Sequence, residues 1–434
     1  GAESTVAYCI YMADIATFRF DTVHLAGDTL TLAGTSPDGN SGLLLIGPDA
    51  LVELGADPPT NELLARSAFI GDVPGAQASM LISGPDAELS LTEFLVVGGF
   101  GPGALLITAG YVYSPSTHIG SGATGDVFVE NPDTQLQTDS LDVGIGAQGT
   151  LAIKNQAFVV CSEANAGVFS RGIVTVEDTD SVFECDGPVT LGTSGAGTGD
   201  GILSVFNGAS MSADSLTLGL QSGTKGKLEV GVDGYVEIST TADVGLDGFG
   251  NIDMTGGSMD VRDLNIGVRG NGIVTTSAAS TLFADNNIFV GSTGDPVGLS
   301  NGGSLVVGRD CLVFGPDLVS IGESLAFGIV TVKTRGRLVS PTIREGALGK
   351  LLVERGGVVT GPRVGPKEPT ELTVDGELRI LPASDEDKQD PGPATIDGNL
   401  TLGPEGMLII EVDDPSMPAL EVLGATTLSG ELIV

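Results

Sequence analysis

Short apolar runs that end in glycine recur along the chain: LLLIG closing at Gly47, AFIG at Gly71, FLVVG at Gly98, THIG at Gly120 and LDVG at Gly144. They continue through Gly167, VTLG at Gly192, LTLG at Gly219, ADVG at Gly245, LNIG at Gly267, IFVG at Gly291, VSIG at Gly322 and Gly346. The 299 residues from Gly47 to Gly346 make twelve steps of about 25 each, a period that belongs to solenoids. Read alone, LTLGLQSGTKGKLEV (Leu216 to Val230) is a hairpin pattern. Within the period, its two strands fall on different faces of one coil.

The internal pattern of a coil is clearest in LDVGIGAQGTLAIKNQAFVVCS. A strand ends at Gly144, a second runs Thr150 to Ile153, a corner follows at Lys154 and Asn155, and a third strand runs Phe158 to Cys161. Three strands and three corners predict an all-β, triangular parallel coil in which every strand pairs with its counterpart one coil on. Asn131, Asn155, Asp178 and Asn207 follow the second strand of successive coils. Asn and Asp tolerate left-handed backbone, so these four read as a structural corner ladder rather than a site.

Composition sharpens this picture. Of 434 residues 66 are Gly, none is Trp and 5% are aromatic, so the interior must be built from Val, Leu, Ile and Ala. Asp and Glu number 56 against 19 Lys and Arg, a net charge of -37. A field of that sign argues against nucleic acid and anionic membranes as partners. It fits a solvated surface, with divalent cations as the sharper alternative. No run of 18 apolar residues is present, so no membrane insertion is expected. The opening GAESTVAYCIYMADIATFRF has no initiator Met and no basic stretch before an apolar core. It reads as a mature start after export, and a cloning remnant would read the same way.

With the coils placed, the sequence resembles right-handed parallel β-helix proteins, and among them the passenger regions of bacterial autotransporters and autotransporter-associated repeat proteins. The resemblance is most specific in GNLTLGPEGMLIIEVDDPSMPALEVLGATTLSGELIV, where ATTLSGEL, Ala425 to Leu432, carries the match to the family's closing segment. The family's Asp before its LxV motif is replaced here by PALEVLG, Pro418 to Gly424, and no membrane barrel follows Val434. The resemblance implies an exported protein, extracellular or at the cell surface of a bacterium. The expected organisation is a cap or docking segment over residues 1–25, coils over 26–380, an inserted polar loop over 381–394 and closing coils over 395–434.

Candidate chemistry is sparse. Polysaccharide lyases and glycoside hydrolases use this scaffold, and they need paired carboxylates and aromatic platforms. Asp126, Asp200 and Asp247 sit six, eight and two residues past their glycines and are out of register. His24 and His118 are 94 residues apart, and no CxxC pair is present, so neither a His-based triad nor a zinc site follows. No enzyme and no cofactor are expected. Calcium stays a candidate only through GSGATGD and GAGTGDG, which suit plain glycine turns equally well.

Cys161 and Cys185 lie 24 residues apart in matching stretches, AFVVCS and SVFECD. Stacked positions about 4.8 Å apart would permit a disulfide in an exported protein, the alternative being two buried thiols. The ends carry the remaining signals. The N-terminal segment holds Tyr8, Cys9, Tyr11, Phe18 and Phe20, either folded as a cap or docking on another subunit. The last strand carries Leu428, Leu432 and Val434 with no evident cap. The expected function is a structural or adhesive surface protein whose partner is itself, as a head-to-tail homo-polymer. A monomeric adhesin passenger is the alternative, and a polysaccharide-degrading β-helix a weaker one.

Overall fold

The computed structural model describes residues 77–194, 199–291, 302–322, 326–361, 370–382, 392–412 and 418–434, with Thr22–Leu25, Leu30–Thr31, Leu43–Ile46, Leu51–Leu54 and most of 62–75 before them. All regular elements among these residues are strands, and every pairing between them is parallel. The chain is an all-β solenoid. It divides into two units, Gly1–Glu163 and Ala164–Val434. No helix of the described residues is long and apolar enough to cross a membrane.

In the first unit, Ala78–Ile82, Gly103–Ile107, Gly125–Glu130 and Gly149–Lys154 are successive rungs of one sheet. Glu62–Ile70, Glu88–Val97, Gly110–Ile119 and Thr134–Val143 are rungs of a second. Thr22–Leu25, inside the expected N-terminal segment, is already a strand and pairs with Leu51–Leu54. In the second unit the first sheet runs from Arg171–Glu177 through Asp200–Phe206, Lys225–Val230, Phe249–Thr255 and Asn271–Ser277 to Glu431–Ile433. Parallel register stacks like on like: Leu203, Leu228, Ile252, Val274 and Leu305 form one inward column. Each is fully buried, and burying such a side chain is worth roughly 1.5–3 kcal/mol. The aliphatic composition is thus a column rule, since each inward position faces its own kind above and below.

Two of the three corners are the expected turns. At Gly245 the backbone has φ +74, and an added Cβ would run into the Asn271 carbonyl of the next coil. Five residues on, a Cβ at Gly250 would run into the Gly245 amide nitrogen, so the corner needs glycine twice, once for conformation and once for space. At the second corner Asn131, Asn155, Asp178 and Asn207 take φ of 78, 55, 73 and 59. The Asn131 side-chain amide donates to the Thr108 carbonyl at 3.1 Å.

The third corner differs from a loop. In Thr134–Val143 the inward residues are Thr134, Leu136 and Thr138, then Leu141 and Val143. The two successive outward residues, Asp139 and Ser140, turn the strand without ending it. Ser210–Leu218 and Ser258–Ile266 bend the same way, whereas Thr281–Ala284 and Asn287–Val290 are separate strands. In some coils a buried small polar side chain secures the bend, Ser114 donating to the Ser116 carbonyl at 2.7 Å and Ser340 to that of Thr342 at 2.9 Å, whereas Ala213 and Val261 hold the place in Ser210–Leu218 and Ser258–Ile266.

Candidate functional site

Outward residues of the first sheet in the second unit converge where the column logic stacks unlike groups. Counting three residues from Gly226 and from Gly250 gives Glu229 and Asp253, which parallel register makes neighbours, with Thr275 beside Asp253. Two carboxylates on adjacent strands would repel. Lys227 resolves this by placing its Nζ 2.7 Å from Glu229 and 3.0 Å from Asp253. Ser204 donates to Glu229 at 2.7 Å, and the Asn251 amide donates to Asp253 at 2.9 Å. Burial pushes the Glu229 carboxyl up, but the hydrogen bonds from Lys227 and Ser204 outweigh it and hold the group below its ordinary range. The same two carboxylates raise the Lys227 pKa. Glu229, Asp253 and Thr275 border a cleft of about 250 Å³ that also takes in Gly231, Thr255 and Ser277.

A second unusual group lies inside the coil. Glu345 occupies an inward column between Ile321 and Val374 and is 1% exposed. Neither carboxyl oxygen makes a hydrogen bond, although the N–H groups of Leu351 and Glu377 lie near. Burial, reinforced by the charges of Glu377 and Asp375 and opposed by those N–H groups, pushes the carboxyl up to about 8. At neutral pH it is therefore a neutral acid. Sequence pattern did carry a signal here: IREG places Glu where VSIG and LNIG place Ile.

The residues singled out from sequence are scattered. Tyr8, Cys9, Tyr11, Phe18 and Phe20 lie outside the described residues. Leu428, Leu432 and Val434 are 49%, 52% and 81% exposed. Cys161, in the first unit, and Cys185, in the second, are buried thiols in the structure, and the Cys185 thiol donates to the Pro188 carbonyl at 3.7 Å. Asp126 borders Ala104 and Thr150, Asp200 lies 4.0 Å from Arg171, and Asp247 is bound by Arg269 at 2.6 and 2.7 Å. These three acids do not form a common site. His118 sits 3.0 Å from the Ser116 hydroxyl and 3.7 Å from Asp142, while His24 belongs to the separate strand Thr22–Leu25. Among the described residues no group of three His, Cys, Asp or Glu is arranged to hold a metal ion.

No family model and no curated protein matches the chain. A solved structure, the TibC-catalyzed hyper-glycosylated fragment of TibA, aligns with 95% of this chain and 97% of its own at 13% identity, with a TM-score of 0.21. A likeness at that level carries no argument about activity.

Proposed function

We propose that the chain is an exported, non-catalytic β-solenoid of a bacterial surface that assembles with copies of itself head to tail. The observation that carries this reading is the state of the closing strands. Thr426–Leu428 pairs with Ala394–Leu402, and Glu431–Ile433 pairs with Met407–Ile410. Among the described residues neither has a partner on its other side, and Leu428, Leu432 and Ile433 are 40–52% exposed. Parallel strands of this kind take a further rung wherever a backbone edge and apolar side chains are open to it, and a head-to-tail contact between copies grows into a filament unless it closes. Tyr8, Tyr11, Phe18 and Phe20, which lie outside the described residues, are the aromatic side chains this proposal assigns to the opposite half of that contact. The net charge of -37 opposes side-by-side bundling and keeps fibres thin.

Negative-stain microscopy of the full chain tests the proposal. Long unbranched fibres are expected, shortened or abolished by Leu432→Lys and by deletion of residues 1–20. Fibres that survive both changes refute the end-to-end contact. A chain that stays monomeric at high concentration is the adhesin passenger instead.

A further inference from the structure

We infer that the second-corner edge of the second unit is a docking surface for another copy of this chain, lying antiparallel to the first. The surface is separate from the closing strands, and the inference does not rest on head-to-tail assembly. Seven stacked first-sheet strands, from Arg171–Glu177 to Phe327–Val332, each end at this edge. The corner after the first strand holds Asp178, the fourth Gly256 and the seventh Arg335, all at left-handed φ.

Charge along the edge runs from negative to positive. Asp178 and Asp180 mark the first corner and the exposed Asp233 the third. Gly256, Ala278 and Ala279 follow and carry no charge. Arg309 stands at the sixth corner, and Lys333, Arg335 and Arg337 at the seventh, all four exposed. Asp310 is shared by Arg309 and Arg335, which leaves this end in cationic excess. The excess is out of character for the chain. Residues 309–367 hold nine Lys and Arg against five Asp and Glu, although the whole sequence carries a net charge of -37. Arg335 has φ 63 where earlier coils place Asp178, Asn207, Asp233 and Gly256. Left-handed backbone disfavours a long side chain, so a guanidinium kept at that place points to a use for its charge.

An edge that is acidic at one end and basic at the other matches itself only when a second copy is turned around. A two-fold axis at Gly256, the fourth of seven corners, sets Asp178 and Asp180 of each copy against Lys333 and Arg335 of the other. The same axis lays Val232, 55% exposed, on Ala278 and Ala279 of the other copy. An apolar centre within a charged rim results, the usual layout of a protein interface. Six coil steps of about 4.8 Å make the edge only about 29 Å long, so the pair is weak, with a Kd on the order of 100 μM. Away from this edge the acidic surfaces repel each other within a screening length of about 8 Å at physiological salt. An isologous contact uses up the edge on both copies, so association through it stops at two.

Zero-length carbodiimide cross-linking of the full chain, read by peptide mass spectrometry, is the test. A link from Lys333 to Asp178 or Asp180 is expected at about 100 μM protein. Within one copy those corners lie about 29 Å apart, beyond the reach of a direct amide bond, so the link reports two copies. Arg335→Glu and Asp180→Lys should each lower its yield about fivefold or more. Mixing the two variants should restore it, because the exchanged charges then face each other. Should either variant fail to fold, Val232→Glu decides, since a charge in the apolar centre should lower the yield as much. Absence of the link in the parent overturns the inference. So does a link that the folded variants leave at full yield, or a mixture no better than its components. Fibres scored in the same samples separate this result from the assembly proposal, since an end-to-end contact does not bring Lys333 to Asp178 and either can fail without the other.

Discussion

Ser114 and Thr138 occupy the same rung of adjacent coils, and each donates its hydroxyl hydrogen to the carbonyl two residues ahead, Ser116 at 2.7 Å and Ser140 at 2.9 Å. Both side chains are essentially fully buried. The bend that makes the third face thus rests on a hydrogen bond inside the coil. Thr138→Val keeps the shape and leaves the Ser140 carbonyl without its partner, at a cost of about 1–3 kcal/mol. Thr138→Ser keeps the bond and loses less. Urea denaturation of the two variants distinguishes a packing role from a hydrogen-bonding one.

Cys185 lies on another bend and contacts the Pro188 carbonyl in the same manner. Peptide mapping without reduction should recover Cys185 as an alkylated thiol, the state it has in the structure. Cys185→Ser should leave the melting temperature unchanged, because a hydroxyl serves the bend as the thiol does.

Glu345 gives stability a pH dependence of known sign. The carboxyl ionises near 4.5 when unfolded and near 8 when folded. Its contribution is complete below pH 4.5, declines as pH rises toward 8 and is lost beyond it. The groups facing it act in that direction: Asp375 and Glu377 are acidic, and Glu377 is itself engaged by Lys350 at 2.9 Å and Arg379 at 3.1 Å. Glu345→Gln should flatten the curve, so its advantage over the parent grows between pH 5 and 8.5. Parallel pH profiles of the urea midpoint would contradict the buried acid.

Glycine at the first corner answers to two separate demands that substitution can part. Gly245→Ala meets both a left-handed φ and the Asn271 carbonyl, and should cost about 3 kcal/mol or more. Gly223→Ala has φ +87 but nothing within 4 Å, and should cost only about 1–2 kcal/mol. Equal losses would show that space is not what the corner glycine provides.

These contrasts mark what a sequence discloses. Gly245 and Asn155 announce their corners because left-handed backbone restricts residue choice, and that restriction repeats every coil. The bend at Thr138 carries no such mark, since Ser, Thr, Cys and Ala all fit and only burial shows which way they face. Glu229 and Asp253 are ordinary exposed acids in the sequence. They become neighbours once Gly226 and Gly250 are set on the same rung, and Lys227 is seen to serve both. Asp126, Asp200 and Asp247 drew attention by distance from the corner glycine, a measure that loop length blurs and strand register does not.

The paired glycine corner has a further consequence, for how such a chain can lengthen or shorten. Gly201, Gly226 and Gly250 hold the same rung in successive coils; an added Cβ would run into the Ala166 carbonyl at Gly201, the Leu191 carbonyl at Gly226 and the Gly245 amide nitrogen at Gly250. Excising residues 226–249, one coil of 24 as counted from 226 to 250, joins Lys225 to Gly250 and brings Gly250 next to Gly201 in unchanged register. Excising 23 or 25 would place a side chain where only glycine fits. Such a gene can therefore gain or lose whole turns by unequal recombination wherever the joined coils keep glycine on that rung, so coil number changes in whole steps.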